Sequence, residues 1–165
     1  MKAVFLDYDS LDQHDLDISA LKAVFTELIL FPSTQSSEVL NRVQDANVII
    51  SNKVMVDAQT LQQCHNLKLI LICATGTHNI DLVQAKEQGV VVCNCQGYGT
   101  SAVAQHTLML MLALATSVLK YDHAVKQGQW NQASQFCLLD CPIIELSGKT
   151  LGIIGYGELG KAVAQ

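Results

Sequence analysis

The sequence is short of charge. Only 15% of its 165 residues are Asp, Glu, Lys or Arg, half are apolar, and 5% are aromatic. A chain this apolar has the material for a sizeable core, which argues against disorder. It has no basic run, and its formal net charge is −5, which argues against a phosphate-neutralising face for nucleic acid. Long apolar runs are missing too. The longest, residues 108–115 (LMLMLALA), falls far short of the roughly 20 residues of a membrane span, so no membrane association is expected. The apolar start, MKAVFL, reaches Asp7 too soon for a secretory leader, and a cytoplasmic protein is expected. Six cysteines are present (Cys64, Cys73, Cys93, Cys95, Cys137 and Cys141) without one C-x-x-C. Cys93-Asn94-Cys95 has no second pair at metal-ligand spacing, so buried, reduced thiols and no metal are expected. Neither a repeat, a low-complexity segment nor a Ser-His-Asp or Cys-His constellation is apparent.

What is present is alternation. Short apolar runs at residues 2–6, 28–31, 48–50, 67–73 and 90–93 read as strands. Between them, residues 18–27, 38–46, 57–64 and 81–88 carry apolar side chains at helical spacing, the last stopped by Gly89. Strands that are apolar throughout and separated by helices predict a mostly parallel sheet covered on both faces. Residues 1–98 therefore read as one doubly wound α/β unit. A joint, Gly97-Tyr98-Gly99-Thr100, leads into a helix over residues 101–119. That helix is apolar nearly all round, which predicts burial on most sides. Residues 121–147 read as polar and irregular, and residues 149–154 as a strand opening a second α/β unit.

This last strand runs into Gly155-Tyr156-Gly157-Glu158-Leu159-Gly160, and Lys161 to Ala164 then start a helix. G-x-G-x-x-G between a strand and a helix suits a pyrophosphate. Gly155 permits the tight turn, Gly157 lets phosphate approach the backbone, and Gly160 lets the helix pack closely. The helix start offers free N–H groups and a positive dipole end. The alternative is a glycine-rich turn that serves only packing. The acidic residue that would confirm a dinucleotide is expected about 20 residues further on, past Gln165.

Several segments then coincide with one family. They are Ala74-Thr75-Gly76-Thr77-His78-Asn79-Ile80-Asp81, Asn94-Cys95-Gln96-Gly97-Tyr98-Gly99 and Val103-Ala104-Gln105-His106-Thr107. Gln135-Phe136-Cys137, Asp140-Cys141-Pro142-Ile143, Leu146-Ser147-Gly148-Lys149-Thr150-Leu151-Gly152 and the glycine fingerprint follow in order. In this the chain resembles the D-isomer-specific 2-hydroxyacid dehydrogenases, most closely their glycerate dehydrogenase (hydroxypyruvate reductase) branch, along essentially its whole length.

The resemblance implies a flavodoxin-like substrate domain, begun by residues 1–98, and a Rossmann NAD-binding domain, begun by residues 99–165. It implies hydride transfer between NAD(H) and a small D-2-hydroxy or 2-oxo acid such as glycerate or hydroxypyruvate, in a homodimer. NADP is left open. It assigns Thr75 and Gly76 to the loop whose N–H groups hold the substrate carboxylate, and Val103 to the nicotinamide. The fingerprint residues Gly155, Tyr156, Gly157, Glu158, Leu159 and Gly160 go to the cofactor. Asn52 and Lys53, after the third strand, face the expected cleft. The family's catalytic Arg, Glu and His are expected beyond Gln165, so no catalytic residue is assigned here and the chain alone is expected to be inactive.

Blander roles compete: a plain turn for Thr75-Gly76, a core valine for Val103, a solvated lysine for Lys53. His106 reads as a partly buried, satisfied side chain, His78 as non-catalytic, and His14, His65 and His123 as surface residues. Two other functions stay open: a non-enzymatic NAD-sensing or corepressor module on the same scaffold, and an inert truncated product.

Overall fold

Strands that are apolar on both sides can be satisfied only between two layers. The computed structural model, which describes every residue except Gln13, shows the chain resolving this within the first of its two units, Met1–Gln96; the second is Gly97–Gln165. Five strands form the first unit's sheet: β1 (Lys2–Phe5), β2 (Glu27–Leu30), β3 (Val48–Ser51), β4 (Leu69–Ile72) and β5 (Val91–Asn94). All pair in parallel, in the order β2-β1-β3-β4-β5, the flavodoxin-like arrangement. The crossovers are α1 (Ser19–Val24), α2 (Val39–Val43), α3 (Ala58–Gln63) and α4 (Leu82–Glu87). The chain leaves β1 toward one edge and returns as β3 on the other side of it, so the topological switch lies between these two strands.

The two faces of the sheet are filled unequally. Val4, Leu6, Ile49, Ile70 and Ile72 pack against Val39 and Val43 of α2, Leu61 of α3 and Ala85 of α4, all buried. The other face carries Ala3, Phe5, Val48 and Ile50, packed against Leu21 and Phe25 from α1 and its C-terminal end. Toward β5 this face opens. Leu69, Leu71 and Cys73 are only partly buried, and Val91 and Cys93 are exposed. Asp57 and Asp81 cap α3 and α4, accepting the N–H groups of Thr60 (2.8 Å) and Gln84 (2.9 Å). The Thr60 N–H holds the Asp57 carboxyl below its ordinary range.

The second unit departs from the sequence reading. It contains α5 (Thr100–Thr116), α6 (Val118–Lys126), α7 (Gln129–Gln132) and α8 (Glu158–Ala164). Ser117, at φ 52°, is left-handed and bends α5 from α6 by 62°. Residues expected to be irregular are thus partly helical. Tyr121 fixes α6 by donating to the Cys141 carbonyl (2.7 Å) and accepting the Cys141 N–H (3.2 Å). The strand expected at residues 149–154 does not form, since no strand of this unit lies beside it among the described residues, and Ile154 is fully exposed. The expected burial of α5 is also overturned. Ala104 and Ala115 are buried, but Leu108, Leu110, Leu112 and Leu114 are exposed, and so is His106. Too little of this chain lies around α5 to cover an all-round apolar surface. Among the described residues, no single helix is long and apolar enough to cross a membrane.

The cysteines also need correction. Only Cys64 is buried; Cys73, Cys137 and Cys141 are partly buried, and Cys93 and Cys95 are exposed. Cys93 lies on the open sheet face and Cys95 just past the end of β5.

So much exposed leucine on one helix predicts association. The 165-residue chain at micromolar concentration should scatter light as dimers or larger species; a monodisperse 17.9 kDa species would contradict this.

Candidate functional site

Parallel pairing sends every strand of the first unit toward the same edge of the sheet, where such folds bind ligands. Asp7 follows β1, Asn52 and Lys53 follow β3, and Thr75 and Gly76 follow β4. The Asp7 carboxylate is buried and occupied. It accepts the Asn52 N–H (2.9 and 3.2 Å to its two oxygens) and the Lys53 N–H (2.7 Å). The Asn52 side-chain amide donates to Ser10 Oγ (3.1 Å). The backbone donors of Asn52 and Lys53 are therefore engaged within the protein, which leaves the exposed Lys53 side chain as this loop's contribution to the surface.

The neighbouring loop behaves oppositely. Thr75 and Gly76 are exposed, and among the described residues nothing accepts from their N–H groups. The loop is nonetheless held firmly at its ends. The Ala74 carbonyl accepts the Cys95 N–H (3.1 Å), and the Thr75 carbonyl accepts Asn94 Nδ2 (2.7 Å). Buried Asn79 donates through Nδ2 to the Val54 carbonyl (3.2 Å), and its own carbonyl accepts the Val56 N–H (2.9 Å). Val56 also bridges Ile80. The loops after β3 and β4 are thus one hydrogen-bonded body with two free, adjacent N–H donors on its surface, an arrangement suited to a carboxylate. Cys73, beneath this loop, has its thiol pushed up to about 11, chiefly by burial, so it remains protonated at neutral pH.

The second unit carries the glycine loop, and its three glycines are not equivalent. Gly155 has φ 91°, a conformation that L side chains rarely adopt. A Cβ at Gly160 would stand 2.2 Å from the Gly155 carbonyl oxygen and 3.3 Å from Ile153 Cγ2. A Cβ at Gly157 would meet nothing within 4 Å. The loop thus closes tightly on itself at Gly155 and Gly160 and is open at Gly157, where α8 presents N–H groups with no helical acceptor. Of the other expected cofactor residues, Tyr156 and Leu159 are exposed. Glu158 is engaged: the Thr100 hydroxyl donates to its Oε1, tying α8 to the start of α5. Val103, one turn further along α5, is 42% exposed and so is not a core valine.

The structure therefore brings Asn52, Lys53, Thr75 and Gly76 to one edge of the first unit, and Val103 to a helix packed on the glycine loop of the second. Asp7, Asn79 and Thr100 escaped the sequence reading as site residues. Asp7 carried a signal, being the first charge after the apolar run at residues 3–6. Asn79 stood inside a family segment and Thr100 in the joint before the long helix, but their partners, the Val54 carbonyl and Glu158, are contacts that only folding creates. The five histidines, including His78 beside Gly76, are all exposed.

Comparison with known proteins bears on this arrangement. Residues 5–158 match the family described as "D-isomer specific 2-hydroxyacid dehydrogenase, catalytic domain". The chain is 41% identical over 165 residues to glycerate dehydrogenase of Methylorubrum extorquens, covering 99% of this chain and 51% of that protein. It is 36% identical over 168 residues to hydroxypyruvate reductase of Blautia hydrogenotrophica, covering 100% and 52%. Among solved structures, an acyclic imino acid reductase in complex with NADPH and D-Arg superposes with a TM-score of 0.82 at 24% identity, over 99% of this chain and 52% of that one. The chain spans about half the length of these relatives.

The unequal glycines can be tested in the chain itself. Gly160→Ala should force α8 away from the loop at a cost of about 1–3 kcal/mol. Deuterium exchange across residues 153–164 should rise accordingly. Gly157→Ala, entering open space, should leave exchange unchanged; equal effects would refute the asymmetry.

Proposed function

The chain belongs to the D-isomer-specific 2-hydroxyacid dehydrogenase family, and on that premise we propose that it is the N-terminal half of an oxidoreductase acting on small D-2-hydroxy and 2-oxo acids such as glycerate and hydroxypyruvate. Met1–Gln96 would form most of the substrate domain and Gly97–Gln165 the start of the dinucleotide domain. The free N–H pair of Thr75 and Gly76 carries the reading: a carboxylate is common to every such substrate, and two adjacent amide donors match its two oxygens. Lys53 supplies an exposed cation on a loop hydrogen-bonded to theirs. Asn52 acts as a spacer, since its amide groups are already engaged.

The glycine loop fits the pyrophosphate of a nicotinamide dinucleotide. Room at Gly157 and free N–H groups at the start of α8 are what a phosphate requires, and Gly155 and Gly160 keep the loop in that shape. When bound, the dinucleotide supplies the hydride donor or acceptor. NAD is our reading, and the family accommodates NADP as well. Glu158 and Thr100 hold the loop to α5, from which Val103 offers an apolar surface to the nicotinamide ring. Tyr156 and Leu159 line the exposed side of the loop. The whole enzyme is proposed to be cytoplasmic and to use the apolar surface of α5 in a homodimer.

His78 stands beside Gly76 in the loop after β4, but we assign it no catalytic role, and we place the family's Arg, Glu and His outside these 165 residues. The 165-residue polypeptide is therefore expected not to oxidise NADH with hydroxypyruvate or glyoxylate. Turnover above a protein-free blank, followed by NADH absorbance, would sink that expectation.

The two binding roles separate by mutation in a full-length dehydrogenase carrying this sequence as residues 1–165. Gly157→Val puts two methyl groups where phosphate must come, at a position where the fold itself has room. Losing that anchor should weaken NADH binding by roughly 10²-fold or more, a loss of a few kcal/mol at 1.4 kcal/mol per tenfold. Gly76→Val would crowd the end of the His78 side chain, 3.1 Å from its new Cβ, and screen the adjacent amides. It should raise KM for the 2-oxo acid and leave NADH binding near normal. NADH fluorescence titration and steady-state kinetics, with circular dichroism to establish folding, distinguish the two. If Gly157→Val binds NADH like the parent, the phosphate assignment is wrong.

A further inference from the structure

We propose that Asp7 is a positioning residue for the substrate: its carboxylate takes the place of an anion at the switch point of the sheet and holds the loop carrying Lys53 in register with Thr75 and Gly76. This rests on the carboxylate-binding role proposed above for those two residues.

The crevice between β1 and β3 is where a doubly wound sheet ordinarily receives its ligand. Here two consecutive N–H groups, those of Asn52 and Lys53, converge there, as they would on a bound anion, and the protein's own carboxylate fills the place. Asp7 is only 6% exposed, and burying a charge is costly unless its acceptors are used. The sheet does not need it. Ala3, Val4 and Phe5 of β1 already pair with Val48, Ile49 and Ile50 of β3, and the Leu6 N–H closes the ladder on the Ile50 carbonyl at 2.9 Å. All three of the carboxylate's short contacts go to the loop. They hold its first two residues, whereas Ser51 Oγ and Asn79 hold it further on, at Val54. Removing Asp7 thus frees the Lys53 end and leaves the rest anchored. It also opens an anion site that a small carboxylate can enter.

The prediction follows in the full-length dehydrogenase. Asp7→Asn and Asp7→Ala should each raise KM for the 2-oxo acid about tenfold, with kcat within about twofold and NADH affinity unchanged. In a Lys53→Gln background, Asp7→Asn should add less than about twofold, because its effect runs through Lys53. Millimolar sodium formate, compared with sodium chloride at equal ionic strength, should lower the KM of Asp7→Ala toward the parent value and do nothing for the parent. Rescue would not arise if the mutation had merely loosened the sheet. Circular dichroism accompanies every variant, and if one fails to fold, the other carries the test. The inference is overturned if Lys53→Gln raises KM and the Asp7 variants do not. It is overturned equally if the effects multiply in the double variant, or if formate gives no rescue. If neither Lys53→Gln nor Gly76→Val moves KM, the carboxylate-site reading itself has failed, and the role of Asp7 falls with it.

Discussion

Parallel pairing of β1, β3 and β4 is the constraint from which the first unit's surface chemistry follows. A parallel ladder needs a crossover for every strand, so the side chains of β1 and β3 are consumed by packing on both faces, and only toward β5 does one face stay open. What remains for chemistry is the edge at which the strands end. There the backbone N–H and C=O groups run out of ladder partners and must find others. The loops after β3 and β4 differ in how they do so. One is satisfied internally by Asp7, and the other presents Thr75 and Gly76 outward. Their difference in binding potential is thus a matter of hydrogen-bond satisfaction and not of residue type.

The second unit shows the converse. Its single sustained apolar element, α5, has no sheet to cover, and its leucines stay in water. It is tied together by polar contacts between distant segments: Tyr121 to the backbone of Cys141, Ser117 Oγ to the Pro142 carbonyl, and Thr100 to Glu158. Such contacts fix where segments run, but they do not bury much surface.

This contrast explains which features were legible in the sequence. The five strands and four crossover helices of the first unit were readable within a few residues, because runs such as LILI and VIIS are buried by their immediate neighbours along the chain. Residues 149–154 were misread for the same reason in reverse: they have the composition of a strand, but a strand exists only beside a partner. Helix α6 was missed although Val118, Tyr121 and Val125 stand at helical spacing, because polar residues lie between them and the segment that follows is irregular. The family motifs located Thr75, Gly76 and the glycine loop as segments. That the Asn52 and Lys53 backbone amides are already taken could not be read, because the carboxylate that takes them is 45 residues distant in sequence.

The glycine loop also bears on how such a protein would decay. Position 160 has no space for any side chain and position 155 requires a left-handed backbone, so both are held by the fold whether or not anything binds. Position 157 has room and ordinary geometry, so only a bound phosphate would keep it glycine. In a lineage that kept this fold after abandoning its dinucleotide, Gly157 would drift first while Gly155 and Gly160 persisted. A fingerprint with only its middle glycine replaced would then mark a scaffold that has outlived its chemistry.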